Sequence, residues 1–134
     1  MFRYGIYLVT VILVCMTAGC NKTRTIGTAI ANFTGKYKCS GFDPYLNKAY
    51  KGSIEITENE VVYDIKMHYD TGETYQATGG QYTDELLFVV FQDTHNLKRV
   101  GLEQYELKED NTIAGYWVYL GQNKLGSEVC VKIQ

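Results

Sequence analysis

Tyr37-Lys38-Cys39, near the start of the strand-rich region, and Cys130-Val131-Lys132, near its end, are the stretches that decide the fold. In an antiparallel ladder, residues that lie opposite one another have numbers with a constant sum. The pair Tyr37 and Lys132 has the same sum as the pair Cys39 and Cys130. One register therefore places both pairs face to face, which predicts that the first and last strands lie side by side.

Between these stretches the chain alternates apolar and polar residues in short segments rich in Tyr, Val, Ile and Thr, bounded by Gly, Asn or Asp. This pattern is typical of strands with one buried face, and it predicts about eight of them. We place them at 34–40, 49–57, 61–69, 73–82, 86–92, 98–108, 112–120 and 127–133. Short connections pair neighbours as hairpins, and closure removes the exposed edges. The expected fold is all-β, an antiparallel up-and-down barrel.

The N-terminal region resembles an export signal. Arg3 precedes an apolar run, and Thr17-Ala18-Gly19-Cys20 resembles the lipobox of bacterial lipoproteins. This implies a signal peptide at 1–19, a lipidated tether at 20–33 and a barrel domain at 34–134, with lipid on Cys20. An uncleaved membrane helix is disfavoured, because the apolar run is shorter than the roughly 20 residues that a span needs. Asn21 gives no inner-membrane retention signal, so we expect the outer membrane, on its periplasmic face or surface.

Composition limits the partners. The chain has 134 residues, a net charge of −2 and no block of like charge. Its length suits a single domain beyond the signal. Nucleic acid is not an expected partner, and membrane contact is expected only through the lipid anchor.

The cysteines divide by role. Cys15 belongs to the predicted signal and Cys20 is the predicted lipid site, which leaves Cys39 and Cys130. A pair of cysteines in an oxidising compartment predicts a structural disulfide, with two buried free thiols as the alternative. No metal site is expected, because His68 and His95 have no Cys or His partner at ligand spacing.

The predicted pairing of the first strand with the last strand places residues of unlike polarity on each face of the barrel wall. If Tyr37 and Cys39 point inward, the shared register also points Glu128, Cys130 and Lys132 inward. The apolar side chains that then face outward are those of Val129, Val131 and Ile133. An apolar outer stripe predicts a homo-oligomer contact, and the alternative is that the disulfide assignment is wrong.

Four short motifs resemble the calycin group, and within it small bacterial avidin-like lipoproteins. They are Gly35-Lys36-Tyr37, Tyr50-Lys51-Gly52-Ser53-Ile54-Glu55-Ile56, Gly115-Tyr116-Trp117 and Gly126-Ser127-Glu128. In that group a basic side chain from the last strand covers an aromatic residue of the first, as Lys132 would cover Tyr37. The resemblance implies an avidin- or lipocalin-like barrel. Biotin binding is not expected, because Cys39 stands where avidin-like chains carry an amide side chain.

A second resemblance is to the periplasmic inhibitors of C-type lysozyme. It is carried by Tyr37-Lys38-Cys39, the late Cys130 and the lipoprotein-like start, whereas Gly79-Gly80-Gln81-Tyr82 matches the inhibitory motif only loosely. It implies a filled barrel that acts on a protein through its loops, such as 41–48 and 92–98.

Aromatic residues on predicted inward faces supply the candidate binding site. The ligand-binding candidates at the mouth opposite Tyr37 are Tyr50, Tyr69, Tyr75, Trp117, Tyr119 and Glu128. Tyrosine combines an apolar ring with a hydroxyl that needs a partner, which suits a small amphipathic ligand or peptide. The alternative is that these rings fill a narrow core.

No catalytic set is indicated. The serines have no histidine at a recognisable spacing. Glu103 and Glu128 form a conceivable carboxylate pair, but nothing in the sequence brings them together. We expect a non-enzymatic protein without a cofactor, whose partner is an unknown small molecule or protein.

Overall fold

The computed structural model describes residues 32–133, which form a closed barrel of eight antiparallel strands in sequential order. The strands are β1 (Gly35–Asp43), β2 (Lys48–Asn59), β3 (Val62–Tyr69), β4 (Thr74–Gln81), β5 (Leu86–Asp93), β6 (Val100–Leu107), β7 (Thr112–Tyr119) and β8 (Gly126–Lys132). Each hydrogen-bonds to its sequence neighbour, and β1 also pairs with β8. The predicted all-β up-and-down barrel is confirmed.

The pairing of β1 with β8, which closes the barrel, has the predicted register. Tyr37 lies opposite Lys132 and Cys39 lies opposite Cys130. The two cysteines form a disulfide that joins chain positions 91 residues apart. The Lys132 ammonium lies 5.8 Å from the centroid of the Tyr37 ring. The disulfide assignment is therefore confirmed, and free thiols at this pair are excluded.

The largest boundary error concerns the first hairpin. We predicted that β1 ends at residue 40 and that a loop spans 41–48, but the ladder continues until Asp43 pairs with Lys48. The loop is only residues 44–47. Its tight turn is set by Asp43, whose Oδ1 accepts the backbone N–H groups of Tyr45 (2.7 Å) and Leu46 (3.1 Å). An Asx turn of this kind closes a hairpin without a long loop.

The end of the barrel where the chain enters is filled by side chains. Phe33, which lies in the predicted tether, is fully buried, and its carbonyl oxygen accepts a 2.8 Å hydrogen bond from the Tyr37 hydroxyl. The Phe33 ring meets Tyr63 edge to face, with centroids 6.1 Å apart. Above them lies a packed aliphatic layer made of Ile54, Ile56, Ile65, Met67, Leu87, Val89 and Ile113. This end therefore offers no opening.

The outer face of the barrel carries apolar side chains. Val129, Val131 and Ile133 are each about half exposed, as the register predicts. Further exposed apolar side chains, on β5, β6 and β7, are Phe88, Val90, Leu102 and Tyr116. The homo-oligomer inferred from this face stays a prediction.

The predicted signal peptide, Cys15 and the lipid site Cys20 lie outside the described residues. Within 32–133, the structure contains no helix that is long and apolar enough to cross a membrane.

Candidate functional site

The open end of the barrel holds a cavity of about 40 Å³. It lies at the end that carries loops 44–47, 70–73, 94–99 and 120–125, opposite the end that Phe33 closes. Its lining comprises Asp43, Leu46, Lys48, Ala49, Tyr50, Met67, Tyr69, Thr71, Glu73, Tyr75, Phe91, Glu103, Trp117 and Tyr119. A cavity of this size holds on the order of three water molecules, so a larger ligand has to extend into the mouth.

Glycines make room for the aromatic rings that form the wall. Five inward-facing glycines each pair across the ladder with an aromatic residue. The pairs are Gly41 with Tyr50, Gly52 with Tyr69, Gly101 with Phe91, Gly115 with Tyr105, and Gly126 with Trp117. At each of these glycines a Cβ atom would overlap the partner's ring. The rings therefore lie against the backbone of the adjacent strand, which fixes their positions in the wall.

The rings form one continuous aromatic network. Tyr50 meets Tyr69 edge to face with centroids 5.1 Å apart, and Trp117 meets Tyr119 at the same distance. The Trp117 indole N–H donates a 2.8 Å hydrogen bond to the Tyr50 hydroxyl. The hydroxyl groups of Tyr75 and Tyr119 lie 2.8 Å apart across the mouth. These bonds hold the polar ends of the wall in place and leave apolar faces toward the cavity.

Two side chains pack against the Tyr119 ring at the rim of the barrel. The Arg99 guanidinium lies 4.3 Å from the centroid of the Tyr119 ring, within cation–π range. It also pairs with Glu73 and with Asp93. From the opposite side, the Tyr45 ring lies 5.9 Å from that of Tyr119. Arg99 and Tyr45 therefore both pack against Tyr119, a residue of the cavity wall.

The Tyr45 side chain is anchored to the facing loop. Its hydroxyl donates to the carbonyl oxygen of Lys124 (2.6 Å) and accepts from the Lys124 backbone N–H (2.9 Å). Loops 44–47 and 120–125 are thus tied together. Opening this side of the mouth requires both hydrogen bonds to break.

Glu128 points inward, as the register predicts, and is 1% exposed. Its Oε1 accepts a 2.7 Å hydrogen bond from the hydroxyl of Tyr105, which is itself fully buried. The other oxygen, Oε2, is buried and has no hydrogen-bond partner. The Tyr105 hydroxyl therefore bonds one of the two oxygens of the Glu128 carboxylate.

Glu103 is a buried polar residue of the site that the sequence analysis did not assign to it, and Asp43, Lys48, Thr71 and Glu73 are further polar residues of the lining that it missed. Glu103 lines the cavity from β6 and is 4% exposed. Its Oε1 is buried and has no hydrogen-bond partner. The inward position of Tyr105, two residues away on the same strand, was the available signal.

Burial changes the ionisation of both carboxyl groups. It raises the pKa of Glu103 well above the ordinary value, and the negative charge of Glu128 raises it further. Burial also raises the pKa of Glu128, but the hydrogen bond from Tyr105 and the neighbouring hydroxyl groups of Tyr69 and Tyr50 oppose that rise. Glu103 therefore takes up a proton more readily than Glu128 does.

The disulfide borders this acidic pair. The Cys130 sulfur lies 3.2 Å from Glu128 Oε1. Because a disulfide sulfur carries no hydrogen, it cannot donate to that oxygen. The sulfurs of Cys39 and Cys130 and a Glu128 oxygen all lie within 4.8 Å of one another. They do not make a thiolate metal site, since both sulfurs are bonded to each other.

The structure brings the predicted site residues together at the mouth. Tyr50, Tyr69, Tyr75, Trp117 and Tyr119 all line the cavity, and Glu128 lies against Tyr105 beside it. Trp117 is both a core anchor and part of the wall. Ligand binding by these residues stays a prediction.

Comparison with known proteins supports the fold. No family model matches the chain. No curated protein matches it either. Among solved structures, a redesigned β-barrel, mFAP1, bound to DFHBI, aligns with a TM-score of 0.60 and 12% sequence identity, covering 72% of this chain and 93% of that chain. At that identity the likeness shows the small-barrel fold alone.

Proposed function

We propose that this chain is a non-enzymatic binding protein that holds a small amphipathic molecule at the mouth of its barrel. The observation that carries the proposal is the cavity itself, which is open at one end and walled by aromatic rings above a filled core. Apolar walls with a few fixed polar groups are typical of small-molecule sites. The similar barrel mFAP1 was solved with the small molecule DFHBI. That likeness supports the proposal by analogy only.

Indole is a suitable first probe, because it is flat, amphipathic and carries one N–H donor. We expect calorimetry to show that replacing both Tyr75→Ala and Tyr119→Ala weakens indole binding at least tenfold, since these rings form one wall of the cavity. Tyr116→Ala is the matched control, because Tyr116 lies on the same strand as Trp117 and faces outward, 67% exposed. Equal affinity of the double variant and the control would exclude the mouth as the site.

The proposal includes export and lipid attachment at Cys20, with the protein anchored in the outer membrane as an avidin-like, calycin-type lipoprotein. The lipobox-like Thr17-Ala18-Gly19-Cys20 supports lipidation. The Cys39–Cys130 disulfide is consistent with an oxidising compartment. Mass spectrometry of the intact protein from its own cells tests this. We expect a mass that corresponds to cleavage before Cys20 plus acyl chains, and Cys20→Ser to abolish the acylation.

A second candidate is a protein inhibitor or adhesin that acts through the mouth loops. Four exposed leucines favour it, namely Leu46, Leu97, Leu120 and Leu125, which are 61–77% exposed on three of those loops. Exposed apolar side chains at one end of a molecule suit contact with a protein. The named target is C-type lysozyme. An unchanged lysozyme rate in the presence of excess protein would contradict that assignment.

A further inference from the structure

The wall of the cavity contains a carboxyl oxygen with no hydrogen-bond partner. Glu103 Oε1 is buried beside the cavity and accepts no hydrogen bond, and Glu128 Oε2 is buried nearby in the same condition. Among residues 32–133, no ion pair involves either glutamate. A buried carboxylate oxygen without a hydrogen-bond partner carries an energetic penalty, which a donor or a cation in the cavity would remove.

The surroundings of this carboxyl group suit a cation. Tyr50, Tyr69, Tyr75 and Trp117 line the same cavity as Glu103, and their ring faces carry partial negative charge. One cation already lies against aromatic rings at the mouth, because the Arg99 guanidinium is within 5.9 Å of the centroids of the Tyr119 and Tyr75 rings. Arg99 itself forms ion pairs with Glu73 and Asp93 at the rim. Aromatic faces combined with a carboxylate are the usual recognition elements for organic ammonium groups.

We propose that the barrel selects a primary ammonium group, which enters the aromatic cavity and donates hydrogen bonds to Glu103 while the apolar remainder of the ligand occupies the mouth. This inference rests on the proposed function and assigns its ligand class. A primary ammonium is favoured over a quaternary one, because Glu103 Oε1 is an unsatisfied acceptor and a quaternary ammonium has no N–H to donate. The cavity of about 40 Å³ admits a compact head group.

The other titratable groups around Glu103 define the response to pH. Those whose charge or hydroxyl acts on the two glutamates are Tyr50 on β2, Tyr69 on β3, Tyr105 on β6 and Glu128 on β8. The charged residues Asp43, Lys48 and Glu73 line the same cavity nearer its mouth. Burial raises the pKa of all three tyrosines, so they stay neutral donors at physiological pH. Burial and the negative charge of Glu128 raise the pKa of Glu103, so Glu103 is the carboxyl group of the site that we expect to exchange a proton with the ligand. Binding of an ammonium group therefore releases a proton, and affinity rises as the pH rises through the pKa of Glu103.

The test compares three probes of equal chain length: n-butylammonium, n-butanol and butyltrimethylammonium. With the full chain at neutral pH, we expect calorimetry to show n-butylammonium binding at least tenfold more tightly than either of the others. Glu103→Gln should remove that preference. Glu55→Gln is the matched control, because Glu55 is an exposed glutamate on β2 that pairs with Lys36. In wild type, the heat measured in buffers of different ionisation enthalpy should reveal proton release on binding.

The outcomes separate this inference from the proposed function. Equal binding of n-butylammonium and n-butanol, with no effect of Glu103→Gln, would overturn ammonium recognition, while indole binding at the mouth would still support the binding protein. Equal binding of butyltrimethylammonium and n-butylammonium would overturn the role of Glu103 as a hydrogen-bond acceptor. If neither indole nor n-butylammonium binds, both proposals fail.

Discussion

Glu103 on β6 and Glu128 on β8 lie on the two strands that flank β7, and the negative charge of Glu128 raises the pKa of Glu103. Both are at least 96% buried, and each has one oxygen without a hydrogen-bond partner. Like charges in a dry interior cannot both ionise without a large penalty. The ionisation of this pair should therefore make the stability of the barrel depend on pH.

The first prediction concerns stability as a function of pH. Because the folded-state pKa of Glu103 is raised, the native state binds more protons than the unfolded state above the ordinary glutamate pKa. Its contribution to stability is complete below that pKa and is lost as the pH rises toward the folded pKa. The loss has a slope of at most about 1.4 kcal/mol per pH unit.

Glu103→Gln removes this titration. Urea unfolding from pH 4 to 8 should give a flatter stability profile for the variant, which should also be more stable than wild type at neutral pH. Parallel profiles for the two proteins would show that Glu103 does not titrate anomalously.

The second prediction concerns the glycines that face aromatic rings. Gly126→Ala places a methyl group inside the space of the Trp117 ring and should lower the free energy of unfolding by roughly 1–3 kcal/mol, the usual effect of overpacking. Gly80→Ala is the control, because a Cβ at Gly80 on β4 meets no atom within 4 Å. Thermal unfolding of the two variants should therefore differ clearly. Equal melting temperatures would show that the Trp117 ring moves aside freely.

Much of the fold follows from the sequence. The alternation of apolar and polar residues locates the strands, and the register between the first and last strands shows that the sheet closes into a barrel. The constant sum of residue numbers places Cys39, Cys130 and Glu128 correctly, since closure of a meander leaves the first and last strands as neighbours. The end of β1 was missed because Gly41 looked like the start of a loop. Gly41 is a residue of β1, and the Tyr50 ring occupies the space that a side chain at this position would fill.

The candidate site is less accessible from sequence. Alternation along β6 would have placed Glu103 inside, but its proximity to Glu128 depends on how the barrel brings β6 and β8 together. Whether the interior is open or filled depends on the rotamers of the Tyr50, Tyr69 and Trp117 rings, which periodicity does not specify. In the structure, side chains fill the end of the barrel near Phe33, and a small cavity remains at the mouth.

The third prediction concerns the disulfide. It closes a loop across 91 positions, so the double change Cys39→Ala and Cys130→Ala should lower the free energy of unfolding by about 2–5 kcal/mol. Reductant should destabilise wild type in the same direction and leave the double variant unaffected. Denaturant midpoints with and without reductant provide the measurement. A double variant as stable as wild type would mean that the β1–β8 ladder holds the seam without the covalent bond.

The fourth prediction concerns Phe33, which lies just before β1 in the segment that we assigned to the tether. Its ring is fully buried against Tyr63, and its carbonyl oxygen accepts the Tyr37 hydroxyl, so it closes one end of the barrel. Phe33→Ala should lower the free energy of unfolding by roughly 3–5 kcal/mol, as expected for a large buried ring. Phe42→Ala is the control, because Phe42 on β1 is 41% exposed and its loss should have a much smaller effect. Equal effects would show that residue 33 belongs functionally to the tether, whereas a large difference extends the folded unit to include it.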